Sequence, residues 1–144
     1  MVLNLVKLCV GIESVEHYEE VVSSRIDLAQ KNREKIDLKH TTRMVPRRDH
    51  ELVDGGSLYW VIKGSIQIRQ LIRDIEPFTD PEGIGRCHIK LDTVLVRTFP
   101  MPRRAFQGWR YLKPDDSPND LSKVSSRQTI PQQLLRELAE LGLL

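Results

Sequence analysis

Two separated segments of the sequence combine aromatic rings with arginine or other polar side chains. Residues 102–112 (PRRAFQGWRYL) interleave three arginines with three aromatic residues, and residues 55–70 (GGSLYWVIKGSIQIRQ) place an aromatic run beside polar side chains. Guanidinium groups pair with phosphates and aromatic rings stack on bases, so this combination is typical of single-stranded nucleic-acid binding. The alternative is an ordinary structural role, because aromatic residues also anchor cores and arginines also pair with surface carboxylates.

A third segment, residues 41–48 (TTRMVPRR), adds hydroxyl and guanidinium groups that suit phosphates at the end of a strand. In this interpretation the arginines meet phosphates, the aromatic rings stack on the ligand or line its pocket, and the glutamines read polar edges. The candidate ligand-binding residues are Arg43, Arg47, Arg48, Trp60, Lys63, Gln67, Arg69, Gln70, Arg103, Arg104, Gln107, Trp109, Arg110 and Tyr111.

The charge distribution supports a localised anion site. The 144 residues carry a net charge of +2, but residues 41–113 alone hold 13 Lys/Arg against 8 Asp/Glu, and ten of those 13 are arginine. The flanking segments are slightly acidic, with net charges of −1 for residues 1–40 and −2 for residues 114–144. This pattern favours one anion-binding region over a broadly basic surface for nucleic acid.

Other chemistries lack the residues that they need. Cys87 and His88 are strand neighbours that point to opposite faces, so they do not form a metal site, and no metal ligand cluster is predicted. The sequence has no dinucleotide-binding glycine motif, no P-loop and no hydrolase elbow, so no cofactor is expected. Alternation places Cys87 toward the core, which predicts a structural thiol rather than a nucleophile.

The elements that must position these residues indicate an α+β domain. We expect a mixed or antiparallel β-sheet, or a small barrel, with one helix near the N-terminus and one at the C-terminus. The whole chain reads as a single domain, with a core at 1–113, a loop at 114–129 and a helix at 130–144. The first half of the core is predicted to hold a strand over Val2–Val10, a helix from Ser14 to about Arg33, a strand over Leu38–Val45 and a polar loop over Arg47–Gly56. A strand over Ser57–Lys63 follows, then a strand passing into a short helix or turn over Ser65–Ile75, and a loop around Pro77 and residues 80–83. The last part is predicted to hold a strand over Arg86–Asp92 that Val94–Thr98 continues or pairs with, a rigid turn between Pro100 and Pro102, and a partly extended Arg104–Leu112.

The same segments carry a family resemblance. Residues 5–11 (LVKLCVG), 42–48 (TRMVPRR), 54–64 (DGGSLYWVIKG) and 102–112 resemble the bacterial domain of unknown function 1489 family over nearly the whole chain. That resemblance implies a short bacterial protein and carries over no catalytic residue. Residues 60–64 (WVIKG) followed by Ile68 and Arg69 are similar to PUA-like and ASCH-like domains, which implies a small β-barrel that binds RNA or nucleotides.

We therefore expect a protein that binds RNA or a nucleotide-like anionic ligand through an arginine and aromatic cleft. One alternative is a small enzyme acting on a nucleotide or another anionic metabolite, with His50, Asp54 or His88 as its base. Another is an interaction module that docks an acidic protein through the arginines. The two cysteines do not make a disulfide framework, and no apolar run is long enough to span a membrane, so we expect a cytoplasmic protein.

Overall fold

The computed structural model of the protein describes residues 2–121. Its elements confirm the α+β class and the helix near the N-terminus, whereas the helix predicted over residues 130–144 lies outside the described residues. The elements are β1 (Asn4–Leu8), α1 (Val15–Lys31), β2 (Leu38–Thr42), α2 (Asp49–Val53), β3 (Ser57–Ile62), β4 (Ser65–Thr79), β5 (Gly85–Pro102), β6 (Trp109–Leu112) and a 3₁₀ turn (Pro114–Asp116).

The six strands form one mixed sheet in the order β2-β5-β4-β3-β1-β6. Strand β1 runs parallel to β3 and antiparallel to β6, and all other neighbouring strands are antiparallel. Strands β2 and β6 stand at the two edges, so the sheet is open. The barrel form of our fold expectation is therefore wrong for the described strands, and the resemblance to PUA-like domains is not confirmed.

Helix α1 covers one face of the sheet. The Ser14 hydroxyl accepts a hydrogen bond from the backbone N–H of His17 at 3.0 Å, which caps the first turn of the helix that the sequence predicts from Ser14. At the sheet side, the Arg97 guanidinium of β5 donates to the Glu19 carboxylate and ties the helix to the sheet. The buried residues of the helix repeat at helical spacing: Val15, Tyr18 and Val22.

Strand β4 is fifteen residues long and contains no helical turn, so the predicted change to a helix or turn is wrong. The hairpin that leads into it has a two-residue loop, Lys63 and Gly64, with φ of 51° and 82°, which matches the twist of the flanking strands. The helix-like spacing of Ile72 and Ile75 has a different cause. A register shift between Ile72 and Asp74 turns both isoleucines toward the core although they are three residues apart.

Three further predictions are corrected. The loop over Arg47–Gly56 contains helix α2, which is held by the fully buried Leu52. Pro77 lies within β4 and pairs with Cys87, and the two prolines of the predicted rigid turn lie at the end of β5. Pairing with a neighbouring strand continues β4 and β5 through positions at which a proline usually ends a strand.

The sheet is strongly curled. The ring of His40 on edge strand β2 meets the ring of Trp60 on β3 edge-on, with centroids 5.3 Å apart, although two strands lie between them in the sheet order. At the other edge, the Trp109 indole N–H of β6 donates to the carbonyl of Met44, just after β2, at 2.8 Å. We call the gap between edge strands β2 and β6, which residues 43–48 cross, the seam.

A substitution at Gly56, the residue just before β3, tests how tightly the start of that strand is packed. A Cβ atom there would lie 2.1 Å from the Leu3 carbonyl oxygen and 2.5 Å from that of Leu52, both backbone atoms that cannot rotate away. We expect Gly56→Ala to lower the free energy of unfolding by about 3 kcal/mol or more in urea denaturation. Gly85→Ala is the control, because no atom lies within 4 Å of its added Cβ. Equal stability of the two variants would contradict the packing described.

Candidate functional site

A cavity of about 190 Å³ lies between helix α1 and the concave face of the curled sheet. Strands from both halves of the sheet line it, because the curl brings β2 close to β1 and β3. Its polar and aromatic lining residues are Lys7, Cys9, Tyr18, Arg25, Lys39, His40, Trp60 and Gln70, and the rest of its lining is largely apolar.

The charged groups of this cavity are all basic. Lys7 projects from β1 and Arg25 from α1, and neither makes an ion pair within residues 2–121; Lys39 is paired with Asp37 at 3.6 Å. None of the described residues that line the cavity is a carboxylate. Lys7 and Arg25 thus line the cavity without a carboxylate partner in the described part of the chain, and partial burial lowers the pKa of Lys7.

His40 adds a fourth basic group, which is held neutral. Burial, followed by the nearby charges of Lys7 and Arg25, lowers the pKa of its imidazole to about 4. Its Nε2 atom is buried and has no hydrogen-bond partner in the described part of the chain. Buried polar groups are normally satisfied, so this nitrogen is an exception among the described residues.

Gln70 organises the wall of the cavity and is 1% exposed. Its Oε1 accepts hydrogen bonds from the Tyr18 hydroxyl and from the Trp60 indole N–H, the latter at 2.9 Å, and its Nε2 donates to the Asp92 carbonyl at 3.0 Å. The side chain is thus committed to structure and holds the two rings with centroids 5.6 Å apart. Gln70 therefore positions the side chains of Tyr18 and Trp60 in the cavity wall.

The two thiols stay protonated at neutral pH. Burial raises the pKa of Cys9, which lines the cavity, to about 12, although Arg25 opposes the shift. Burial also raises the pKa of Cys87, whose side chain is fully buried and faces the core as the sequence predicts. Neither thiol has the lowered pKa that a nucleophile needs.

A second group of predicted residues lies at the seam. The Tyr111 hydroxyl accepts hydrogen bonds from the backbone N–H groups of Arg47 and Arg48, at 3.1 and 3.2 Å. The Arg48 guanidinium lies over the Tyr111 ring, 5.5 Å from its centroid, and also pairs with Glu51. Trp109 packs edge-on against Tyr111, with centroids 4.8 Å apart. These contacts fasten residues 43–48 onto β6.

Other predicted residues lie elsewhere. Arg103 and Arg110 both lie over the ring of Phe106, at 5.6 and 5.3 Å from its centroid. Arg69 points to the face of the sheet opposite α1, where it donates to the Asp120 carboxylate at 2.7 and 2.8 Å. That guanidinium is therefore already engaged by a carboxylate.

The remaining candidates occupy the β3–β4 turn or exposed surface. Lys63 pairs with Glu13, and the Gln67 amide donates to the Ile62 carbonyl. The exposed candidates with no side-chain hydrogen bond or ion pair within residues 2–121 are Arg43, Arg47, Arg104 and Gln107. The fourteen predicted residues thus divide among the cavity, the seam, Phe106, the opposite face and the surface, and they do not share one cleft.

The sequence predicted Trp60 and Gln70 but missed the basic residues of the cavity. Lys7 lies in an apolar strand, and Arg25 follows Tyr18 and Val22 at helical spacing. The pattern therefore predicts the element and face on which each residue lies, but it does not indicate a function for either residue. His40 reaches the cavity only through the curl of the sheet. Periodicity within one element does not predict that contact.

The bases proposed for an enzyme lie away from the cavity. His50 is 98% exposed in its side chain, and Asp54 is exposed at the end of α2. The His88 ring stacks on Phe78 at 4.3 Å and its Nδ1 is 2.8 Å from the Thr41 hydroxyl. Among residues 2–121, no three histidine, cysteine or acidic side chains form a group suited to a metal ion.

None of the helices described within residues 2–121 is long and apolar enough to cross a membrane.

Replacing Gln70 tests its role in holding the cavity wall. Gln70→Leu leaves the Tyr18 hydroxyl and the Trp60 indole N–H buried without an acceptor, so we expect the free energy of unfolding to fall by about 2–4 kcal/mol. Urea denaturation followed by tryptophan fluorescence measures the loss. Gln107→Leu, at an exposed position, is the control and should change stability by less than about 0.5 kcal/mol. A Gln70→Leu protein as stable as this control would argue against the network.

His40 makes stability depend on pH. Its pKa is about 4 in the folded protein and near 6.5 in the unfolded chain, so the unfolded chain binds more protons between these values. The stabilisation is present above pH 6.5 and is lost as pH falls toward 4. Because His40 keeps some solvent contact, we expect this loss to reach about 2 kcal/mol relative to His40→Gln.

The same denaturation series run on His50→Gln supplies the control, since that ring is exposed. If His40→Gln and the unaltered protein lose stability in parallel over this range, the buried neutral imidazole is refuted.

Comparison with known proteins places the chain in one family. No curated protein and no solved structure matches the chain. A family model described as "Protein of unknown function (DUF1489)" matches residues 5–144, which is nearly the whole length. This match agrees with the resemblance noted in the sequence. The chain therefore belongs to the DUF1489 family.

Proposed function

We propose that this protein binds a nucleotide-like anionic ligand, free or as part of RNA, in the cavity between α1 and the sheet. The observation that carries the proposal is the convergence of Lys7, Arg25 and His40 on a cavity with no carboxylate among its described lining residues. The rings of Trp60 and Tyr18 lie in the same wall. Cations and aromatic surface together match a phosphate joined to a base.

The electrostatics of the cavity favour an anion over water. Lys7 and Arg25 are close enough to depress the pKa of His40, so their fields overlap within the cavity. Partial burial weakens solvent screening and strengthens any charge-assisted hydrogen bond that a phosphate oxygen accepts there. Each such hydrogen bond contributes about 1.5–3 kcal/mol, which corresponds to roughly 10-fold to 100-fold in affinity.

The seam supports the RNA form of this proposal. Residues 43–48 cross it, and the Arg43 and Arg47 guanidinium groups make no ion pair within residues 2–121. In a bound RNA strand, these groups would hold the phosphates next to the nucleotide in the cavity. Such contacts give affinity that falls with salt concentration.

Binding is better supported than the two alternatives. An enzyme needs a base or nucleophile beside its substrate. The candidate bases His50, Asp54 and His88 lie away from the cavity, the Cys9 thiol is protonated, and the pKa of His40, which does line the cavity, is lowered to about 4, well below the value that suits a general base at neutral pH. A module that docks an acidic protein needs a broad patch, whereas the candidate arginines are dispersed and several already contact Glu51, Asp120 or Phe106. The proposal keeps the expectation of a protein in the bacterial cytoplasm, where nucleotides and RNA are abundant.

Substitution of the two permanent cations tests the proposal. We expect Lys7→Ala and Arg25→Ala each to weaken binding of ribonucleoside 5′-monophosphates by about 10-fold or more, since each removes one charged donor. Isothermal titration calorimetry with the four monophosphates and with single-stranded RNA hexamers measures the affinities. Lys63→Ala is the matched control, because that lysine pairs with Glu13 outside the cavity.

The two ligand classes separate the forms of the proposal. An affinity for RNA that falls steeply between about 50 and 200 mM salt, and that Arg47→Ala weakens further, supports RNA. Binding of the monophosphates alone supports a free nucleotide. Absence of binding to both classes, or unchanged affinity in Lys7→Ala and Arg25→Ala, would overturn the proposal.

A further inference from the structure

We infer that a second surface of this protein, beside edge strand β6, holds the phosphates of single-stranded RNA outside the cavity. This surface consists of Arg103, Arg104 and Arg110 with the ring of Phe106, and we call it the β6 patch. The inference rests on the proposed function and deepens its RNA form, because it assigns the RNA strand a second set of contacts.

Two guanidinium groups share one aromatic ring in the β6 patch. The guanidinium carbons of Arg103 and Arg110 lie 5.6 and 5.3 Å from the centroid of the Phe106 ring. Phe106 itself packs against a buried apolar cluster that includes Val6 and Leu112. A ring anchored in this way fixes the position of both cations through its negative face. The two charges are therefore held close together before any ligand binds.

The donors of the β6 patch are largely unused. Within residues 2–121, the side chains of Arg103 and Arg104 make no hydrogen bond and no ion pair. Arg110 donates from Nη1 to the carbonyl groups of Gln107 and Trp109, at 3.0 and 3.2 Å, and its Nε and Nη2 have no partner in that part of the chain. A guanidinium in this state offers a planar set of N–H groups to a phosphate.

The other arginines of the sheet differ from those of the β6 patch. Every arginine of β4 and β5 pairs with a carboxylate, namely Arg69, Arg73, Arg86 and Arg97. In contrast, strands β1, β3 and β6 contain no acidic residue, and the sequence has none from Thr93 to Pro114. The positive charge of the β6 patch is therefore left for a partner outside the protein.

The β6 patch is continuous with the seam. The Trp109 indole N–H, next to Arg110 in β6, donates to the Met44 carbonyl at 2.8 Å. A Cβ atom built on Gly108, just before β6, would lie 4.0 Å from the Met44 Sδ atom. The arginines of residues 43–48 and those of the β6 patch thus lie along one edge of the molecule.

The same edge strand also connects the β6 patch to the cavity. Lys7, which lines the cavity, is the partner of Trp109 in the pairing of β1 with β6, and Arg110 is the next residue. Successive side chains of a strand point to opposite faces of the sheet. A single nucleotide in the cavity therefore does not contact the β6 patch, whereas an RNA strand that passes around the edge contacts both.

The composition of the β6 patch favours a phosphate backbone over an acidic protein. A protein interface is centred on apolar surface, with its charges at the rim. Among the described residues, none of the strongly exposed large apolar side chains belongs to residues 102–112, and the Phe106 ring is covered by guanidinium groups. A row of cations is sufficient for contacts with successive phosphates.

The main test is the double variant Arg103→Gln/Arg110→Gln with a single-stranded RNA dodecamer. We expect fluorescence anisotropy to show about 10-fold weaker binding at about 50 mM salt. The slope of log affinity against log salt concentration should become shallower by about 1.4, because each phosphate contact on a single strand contributes about 0.7. The affinity for adenosine 5′-monophosphate in calorimetry should not change. Lys31→Gln/Arg73→Gln removes the same charge from α1 and β4 and is the matched control.

Phe106→Leu tests whether the ring positions the two cations. Leucine keeps an apolar side chain against the buried cluster but removes the aromatic face, so we expect about 3-fold weaker binding of the dodecamer with both arginines present. Circular dichroism confirms that each variant is folded. An affinity equal to that of the unaltered protein would refute the positioning role of Phe106.

The outcomes separate the β6 patch from the function on which it rests. If the double variant binds the dodecamer with unchanged affinity and salt dependence while the monophosphate still binds, the β6 patch is overturned and the cavity function stands. If a glutamate dodecamer binds as tightly as the RNA and is lost equally in the double variant, the surface belongs to an acidic protein and the RNA contact is overturned. Weaker RNA binding in the double variant but not in Lys7→Ala supports the β6 patch and overturns the cavity. Binding of neither RNA nor monophosphate overturns both.

Discussion

The cavity between helix α1 and the sheet depends on the hydrogen bonds of one group, the carboxamide of Gln70. Its three hydrogen bonds reach helix α1, strand β3 and strand β5 from a side chain that is almost wholly buried. A polar group in that position is stable only when every partner is in place, so the network specifies one height of the helix above the sheet. The cavity exists because that height leaves room between Tyr18 and the strands below.

The arrangement of charged groups at the cavity opposes the stability of the fold, whereas the apolar core supports it. Lys7 and Arg25 both line the cavity with no carboxylate among its described lining residues, and burial keeps the imidazole of His40 neutral there. Elsewhere the protein pairs its charges, as Arg69 does with Asp120 and Arg97 with Glu19. Local arrangements that oppose stability are where function is to be sought.

Much of the fold was predictable because its signals are local. The Ser14 cap with Tyr18 and Val22 predicts α1, and the alternation around Cys87 predicts the inward face of β5. The cavity was not predictable, because His40 reaches Trp60 only through the curl of the whole sheet. The bulges of β4 imitate a helical period, and no periodicity within that strand distinguishes the two. The arginine-rich segments of the sequence include part of the seam. The number of arginines does not indicate how many of them are already paired with a carboxylate.

Strand β1 has a consequence for how the chain assembles. It is synthesised before the other strands of this sheet, but its neighbours are β3 and β6, whose residues follow it by about fifty and one hundred positions. The antiparallel β3-β4-β5 meander, joined by short turns, can form first from contacts close in sequence. Until β6 is made, β1 presents apolar residues and an unpaired edge to other chains, so slow completion of the sheet is the stage at which this protein is most exposed to aggregation in a cell.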